Sequence, residues 1–102
     1  MRTLTHPRTE EIELAGVMAA LSDPVRVAIV RALAAGDEMA CGTLPLPVSP
    51  ATRSHHFRVL REAGITQTRP EGTHRYVSLR RDALDERFPG LLDAVLAAAA
   101  RG

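Results

Sequence analysis

With 102 residues, 45% of them hydrophobic and 25% charged, the chain suits one domain with a modest core and is too apolar for disorder. No apolar run reaches the roughly 18 residues that cross a bilayer, and MRTLTHPRTEEIEL lacks the core of a secretory signal, so a cytoplasmic protein without a membrane partner is expected. Net charge is only +1, yet between Arg53 and Arg81 seven arginines stand against Glu62 and Glu71, a basic centre that either meets a polyanion or is simply a solvated surface.

In chain order, residues 1–8 read as a flexible tail bounded by Pro7, and 9–102 as the folded domain. TEEIELAGVMAAL begins with Thr9 as N-cap and acids in the first turn, where the helix dipole favours them. SDPVRVAIVRALAAG offers Ser22 or Asp23 as cap, Pro24 in the first turn and Gly36 at the close. In DEMACGTLPLPVS, Pro45 and Pro47 forbid a long helix and leave a short helical turn around Asp37 to Leu44. Ser49 then caps a helix opened by Pro50 and ended by Gly64. ITQTRPEGTHRYVSLRR gives two strands about a Pro-Glu-Gly turn, with Val77 and Leu79 inward. From Leu84 to Leu96 apolar residues recur at helical spacing, interrupted at Pro89-Gly90. The result is a mainly α domain with a β-hairpin, ordered helix, helix, short helix, helix, two strands, helix. That is the layout of a winged helix-turn-helix, in which the hairpin flanks the helix that reads DNA.

The adjacent His55 and His56 sharpen the reading. Neighbours on a helix diverge by about 100°. With Phe57, Leu60 and Gly64 inward, Ala51, His55, Arg58 and Glu62 point outward, Ser54 lies at that edge, and His56 sits half-buried on the rim. His55 is therefore the candidate for DNA contact, and His56 the candidate for packing or hydrogen bonding within the protein. Diverging neighbours make a poor metal pair, and no partner with zinc-site spacing surrounds His6 or His74. Without HExxH, a nucleophile elbow or a Gly-rich phosphate loop, no enzymatic chemistry is indicated.

LSDPVRVAIVRAL, SHHFRVLREAGI and RPEGTHRYVSLR, in that order, resemble the ArsR/SmtB-type family of bacterial winged-helix repressors over about residues 12–97. The resemblance implies a homodimer built by the first and last helices, binding double-stranded DNA at a pseudo-palindromic operator. It makes the helix opened by Ser49 the recognition helix. Ala51, Thr52, Ser54 and His55 would then face the major groove, Arg53 and Arg58 would be near phosphate or base, and Arg69, His74 and Arg75 would lie on the wing. Ile12, Val17, Leu21, Leu92, Val95 and Leu96 are the candidates for core and dimer seam, with core alone as the competing reading.

Departures from the family are equally informative. Where metal-sensing members carry two cysteines, this chain has Ala40 and Gly42 with Cys41 between them, and its last helix has acids but no histidine. Soft metals require thiolates and zinc requires N or S ligands, so no regulatory metal and no cofactor are expected. Arg53 falls where the wheel expects an apolar residue; either it snorkels toward DNA or the helix is rotated. Cys41 reads as a small buried hydrophobe or, more sharply, as a redox switch that needs exposure and a lowered pKa. Two alternatives to plain DNA-dependent regulation stand at this point: a winged-helix protein-interaction module, and a single-cysteine redox-responsive repressor.

Overall fold

The computed structural model describes residues 4–101. Its first helix starts later than the sequence suggests. Thr9–Glu11 form a single 3-10 turn, Ile12 and Glu13 are extended, and only then does α1 run from Leu14 to Ala20. Ile12 is the reason. Its side chain is buried, and its carbonyl accepts from Arg87 Nη2 at 2.6 Å and Nε at 3.1 Å instead of from a helical N–H. Thr9 is accordingly not a cap; Arg8 N–H donates to Glu11 Oε1 at 2.8 Å. The tail expected over 1–8 is fastened at its end. Thr68 N–H donates to His6 Nε2 at 3.0 Å, and Arg80 Nη1 donates to the Pro7 carbonyl at 2.7 Å; residues 1–3 lie outside the described residues.

Helix α2 spans Pro24–Ala35, capped by the Asp23 carboxylate, which accepts from Val25 N–H at 2.7 Å and Arg26 N–H at 3.3 Å. Its Ile29, Val30 and Leu33 are buried. The next stretch corrects the sequence reading. Cys41–Thr43 form a 3-10 turn, the short helical turn expected around Asp37 to Leu44, but Met39–Ala40 before it form a short strand, β1, that the sequence reading lacks. β1 is held by pairing, Met39 opposite Val77 and Ala40 opposite Tyr76, a non-local gain that two weak strand formers do not advertise.

Helix α3 spans Pro50–Glu62 with Ser49 as N-cap; its Oγ accepts from Thr52 N–H at 3.2 Å. At the other end Gly64 N–H donates to Arg61 O and Ile65 N–H to Leu60 O, the paired bonds of a Schellman cap. Gly64 has φ +85°, and a Cβ there would lie 2.5 Å from Ile12 Cγ1. Strands β2 (Thr66–Glu71) and β3 (His74–Leu79) follow, in a three-stranded antiparallel sheet of order β1-β3-β2. The turn is Gly72-Thr73, with positive φ at Gly72 only, so Pro70 and Glu71 remain in the ladder opposite Arg75 and His74. Pro70 is tolerated because β2 is an edge strand with one side free of ladder bonds. Helices α4 (Arg81–Arg87) and α5 (Leu91–Ala100) are parted at Pro89-Gly90, where Gly90 takes φ +83°.

The core lies where α2, α3, the sheet and α5 meet. Ile12, Val17 and Leu92, candidates for the dimer seam, are sealed inside it at 1%, 2% and 3% exposure and leave no surface for a partner. Leu21, Val95 and Leu96 are part-buried around it. The free apolar surface of α1 belongs to Leu14 and Met18, about half exposed and one helical turn apart.

Candidate nucleic-acid interface

Helix α3 sorts its side chains by angle. Phe57 and Leu60 are buried, while Ala51, Thr52, Ser54, His55, Arg58 and Glu62 are exposed. The cap at Ser49 fixes where this face begins, and the Schellman turn at Gly64 fixes where it ends. Arg58 Nη2 lies 3.3 Å from His55 Nδ1; because a guanidinium only donates, that nitrogen accepts and Nε2–H points outward. The outward face thus offers hydroxyls, an imidazole and a guanidinium, with no side chain on it that needs burial.

His56 goes the other way and is more buried than a rim position implies, at 6% exposure. Its Nδ1 lies 3.2 Å from Arg26 Nη1, and Arg26 Nε donates onward to the Ala20 carbonyl at the end of α1. One arginine of α2 therefore ties α1 to α3 through this ring.

The wing residues divide. His74 and Arg75 are exposed, with the His74 ring 6.2 Å from that of Tyr76. Arg69 is engaged within the protein: Nη2 meets Glu38 Oε1 at 2.9 Å, Nη1 meets Glu71 Oε1 at 2.7 Å, and the guanidinium lies 4.9 Å from the Tyr76 ring centre. It braces β2 against the segment before β1, with few donors left over. Arg53 is half-buried and turned into a cleft between α3 and the sheet, where Arg61 and Arg75 join it beside Cys41. That answers the anomaly on the helical wheel: Arg53, Phe57 and Arg61, four residues apart, form one stripe facing this cleft. Arg61 was missed in the sequence, though the same spacing points to it.

Cys41 is half-buried. Burial pushes its thiol up, and the positive charges of Arg75, Arg61 and Arg53 only partly offset this. A peroxide-sensing thiol needs the reverse. Among the described residues no group of three or more His, Cys, Asp or Glu side chains is placed to hold a metal ion, and no helix is long and apolar enough to cross a membrane.

A helix-turn-helix domain family matches residues 21–69. Over 95 residues the chain is 38% identical to the uncharacterised HTH-type transcriptional regulator YceK of Bacillus subtilis (strain 168), covering 90% of this chain and 95% of that one. The chain belongs to the helix-turn-helix transcriptional regulators. This regulator is also 39% identical over 70 residues to the cadmium resistance transcriptional regulatory protein CadC homolog of Staphylococcus aureus, covering 67% of this chain and 58% of that one. Its fold matches the crystal structure of an ArsR family transcriptional regulator at a TM-score of 0.67, with 22% identity and 95% and 94% of the two chains covered. Rv0081 of M. tuberculosis matches at 0.63, with 22% identity over 85% and 81%. The regulator's architecture is thus the winged helix-turn-helix of ArsR-type proteins.

Proposed function

We propose that the regulator is a repressor that binds a pseudo-palindromic operator as a homodimer. The observation that carries this reading is the outward face of α3: fully exposed, polar, capped by Ser49, and belonging to the basic centre of the chain. Thr52, Ser54 and His55 read base edges in the major groove, and Ala51 packs against a thymine methyl or a sugar. Arg58 and the Ser49 hydroxyl meet phosphates, as do His74 and Arg75 on the wing. Short polar groups near a helix N-terminus, flanked by guanidiniums, suit this division, because phosphate contacts set the register and base contacts carry the sequence. Leu14 and Met18 on α1, together with the part-buried Val95 and Leu96 of α5, form the dimer seam.

The test is fluorescence anisotropy with the duplex upstream of the regulator's own coding sequence. Six or more phosphate contacts predict a loss of about a thousandfold or more in affinity between roughly 50 and 200 mM salt. His55→Ala is expected to weaken that duplex by about 1–3 kcal/mol relative to a scrambled one, at an unchanged melting temperature. His56→Ala, which leaves Arg26 without its partner, is expected to lower the melting temperature instead. Salt-independent binding, or none to any duplex, would remove the DNA reading and leave a protein-docking module.

A further inference from the structure

The cleft beside Cys41 shares Ser54 and Arg75 with the proposed DNA face, but its half-buried Arg53 and Arg61 have no part in the proposed DNA reading. It has a volume of about 210 Å³, below the usual size of a drug-sized pocket but far more than one water needs. Three guanidiniums line it, Arg53 and Arg61 from α3 and Arg75 from β3, and no carboxylate does. None of the three makes an ion pair among the described residues. Moreover, Arg53 Nε and Arg61 Nε are buried with no hydrogen-bond partner. The contrast within the same protein is instructive. Arg26, Arg80 and Arg87 are spent on backbone carbonyls, and Arg69 on two carboxylates. Among the described residues, this cleft is where three guanidiniums without a carboxylate or carbonyl partner stand together, two of them with a buried unpaired Nε, an arrangement that costs stability unless an acceptor arrives.

The acceptor that suits guanidiniums is a planar or tetrahedral oxyanion, which takes two parallel N–H bonds from each fork. The rest of the wall is mixed: the Phe57 ring and Pro50 face the same space with the Cys41 sulfur, and Ser54 and Thr68 add two hydroxyls. We infer that this cleft binds a small organic oxyanion, a carboxylate or phosphate ester whose charged end sits on Arg53, Arg61 and Arg75 and whose carbon end rests against Phe57 and Pro50, and that its binding releases the regulator from DNA. The second half rests on the repressor reading above. Arg75 lies on the wing and Ser54, which also lines the cleft, on the reading face of α3. An anion there neutralises charge that phosphates would otherwise meet and draws the wing toward α3. A ligand changes the DNA equilibrium only through such a difference between the free and bound states.

Calorimetry without DNA, at an ionic strength held constant with sodium chloride, tests the site by itself. Phenyl phosphate is expected to bind once per chain, and inorganic phosphate to compete for the same site more weakly because it lacks the ring. Arg61→Gln should weaken phenyl phosphate by about tenfold or more, and Arg75→Gln, on the exposed wing strand, should do the same even if the first variant folds poorly. In anisotropy, phenyl phosphate should lower wild-type affinity for the duplex, while Arg61→Gln binds the duplex normally and ignores the ligand. Three results would overturn the proposal: no saturable binding by the wild type, binding by both variants as tight as by the wild type, or an Arg61→Gln loss of DNA affinity as large as that of Arg58→Gln. The last would make the cleft a clamp for a backbone phosphate of the duplex. Because the calorimetric arm contains no DNA, failure of the repressor reading leaves it intact and recognisable.

Discussion

Single residues carry more of this molecule's logic than its even charge balance suggests. Thirteen basic residues are all arginine, and several of those the structure describes divide by position into structural staples, exposed contacts and the trio in the cleft. The two adjacent histidines divide in the same way: His55 is held outward by Arg58, and His56 is buried against Arg26. His6 is a third case and gives a pH prediction. Its Nε2 accepts from Thr68 N–H, which requires the neutral ring. Burial first, then the charges of Arg61 and Arg80, hold its pKa below the usual 6.5. A folded-state value depressed below the unfolded one means that the contact contributes fully above about 6.5 and is lost as pH falls through the lower value. The melting temperature of the wild type is therefore expected to exceed that of His6→Ala near neutrality, and the gap to narrow as pH is lowered below about 6.5. A gap that is constant across this range would mean that His6 contributes only packing.

At the scale of elements, the sequence spoke clearly wherever a local signal and a tertiary demand coincided. Helix α3 is the best instance: Ser49, Pro50 and Gly64 mark its ends in the sequence and in the structure alike. Its outward set was legible because Phe57 and Leu60 define the inward stripe without ambiguity. What could not be read was imposed from outside the segment. No local feature of Thr9 to Glu13 reveals that Arg87, some seventy-five residues on, takes the Ile12 carbonyl and stops the helix there. Nor does Met39-Ala40 reveal its pairing with β3, which confines the expected helical turn to Cys41–Thr43. The commitments of Arg69 to Glu38 and Glu71 were hidden likewise, since Glu38 is remote in sequence. Gly64 joins the local and the remote, because its backbone needs a positive φ and its missing Cβ makes room for Ile12. Gly64→Ala is expected to cost roughly 2–4 kcal/mol from left-handed strain and overpacking together. Gly16→Ala, in α1 with nothing within 4 Å of the added Cβ, should be neutral or stabilise slightly. Differential scanning calorimetry on the two variants separates these, and equal melting temperatures would refute the account of the cap.

At the scale of the whole molecule, the proposed pseudo-palindromic operator requires that one chain serve a site with two-fold symmetry. A protomer measuring 35 × 31 × 22 Å carries a single α3, and two such helices must lie about 34 Å apart, one turn of DNA, to enter successive major grooves. Side-by-side pairing of two bodies of this size meets that spacing if the seam lies on the side away from the wing. Among the described residues, Leu14 and Met18 are the large apolar side chains left exposed, and they share one face of α1. Val17 of α1, Leu21 just after it, and Leu92 and Val95 of α5 line one small apolar cleft. A standard interface covers roughly 800 Å² per partner, a modest fraction of the 6307 Å² of this protomer. Met18→Glu places a charge at the centre of that seam while touching nothing in the core. It is expected to sediment as a monomer at concentrations where the wild type is a dimer, with helical content preserved by circular dichroism. Its DNA affinity should fall steeply, because two linked half-sites bind far more tightly than one. Should Met18→Glu remain a dimer, the partner covers another surface, and the spacing of the two reading helices must be derived from that surface instead.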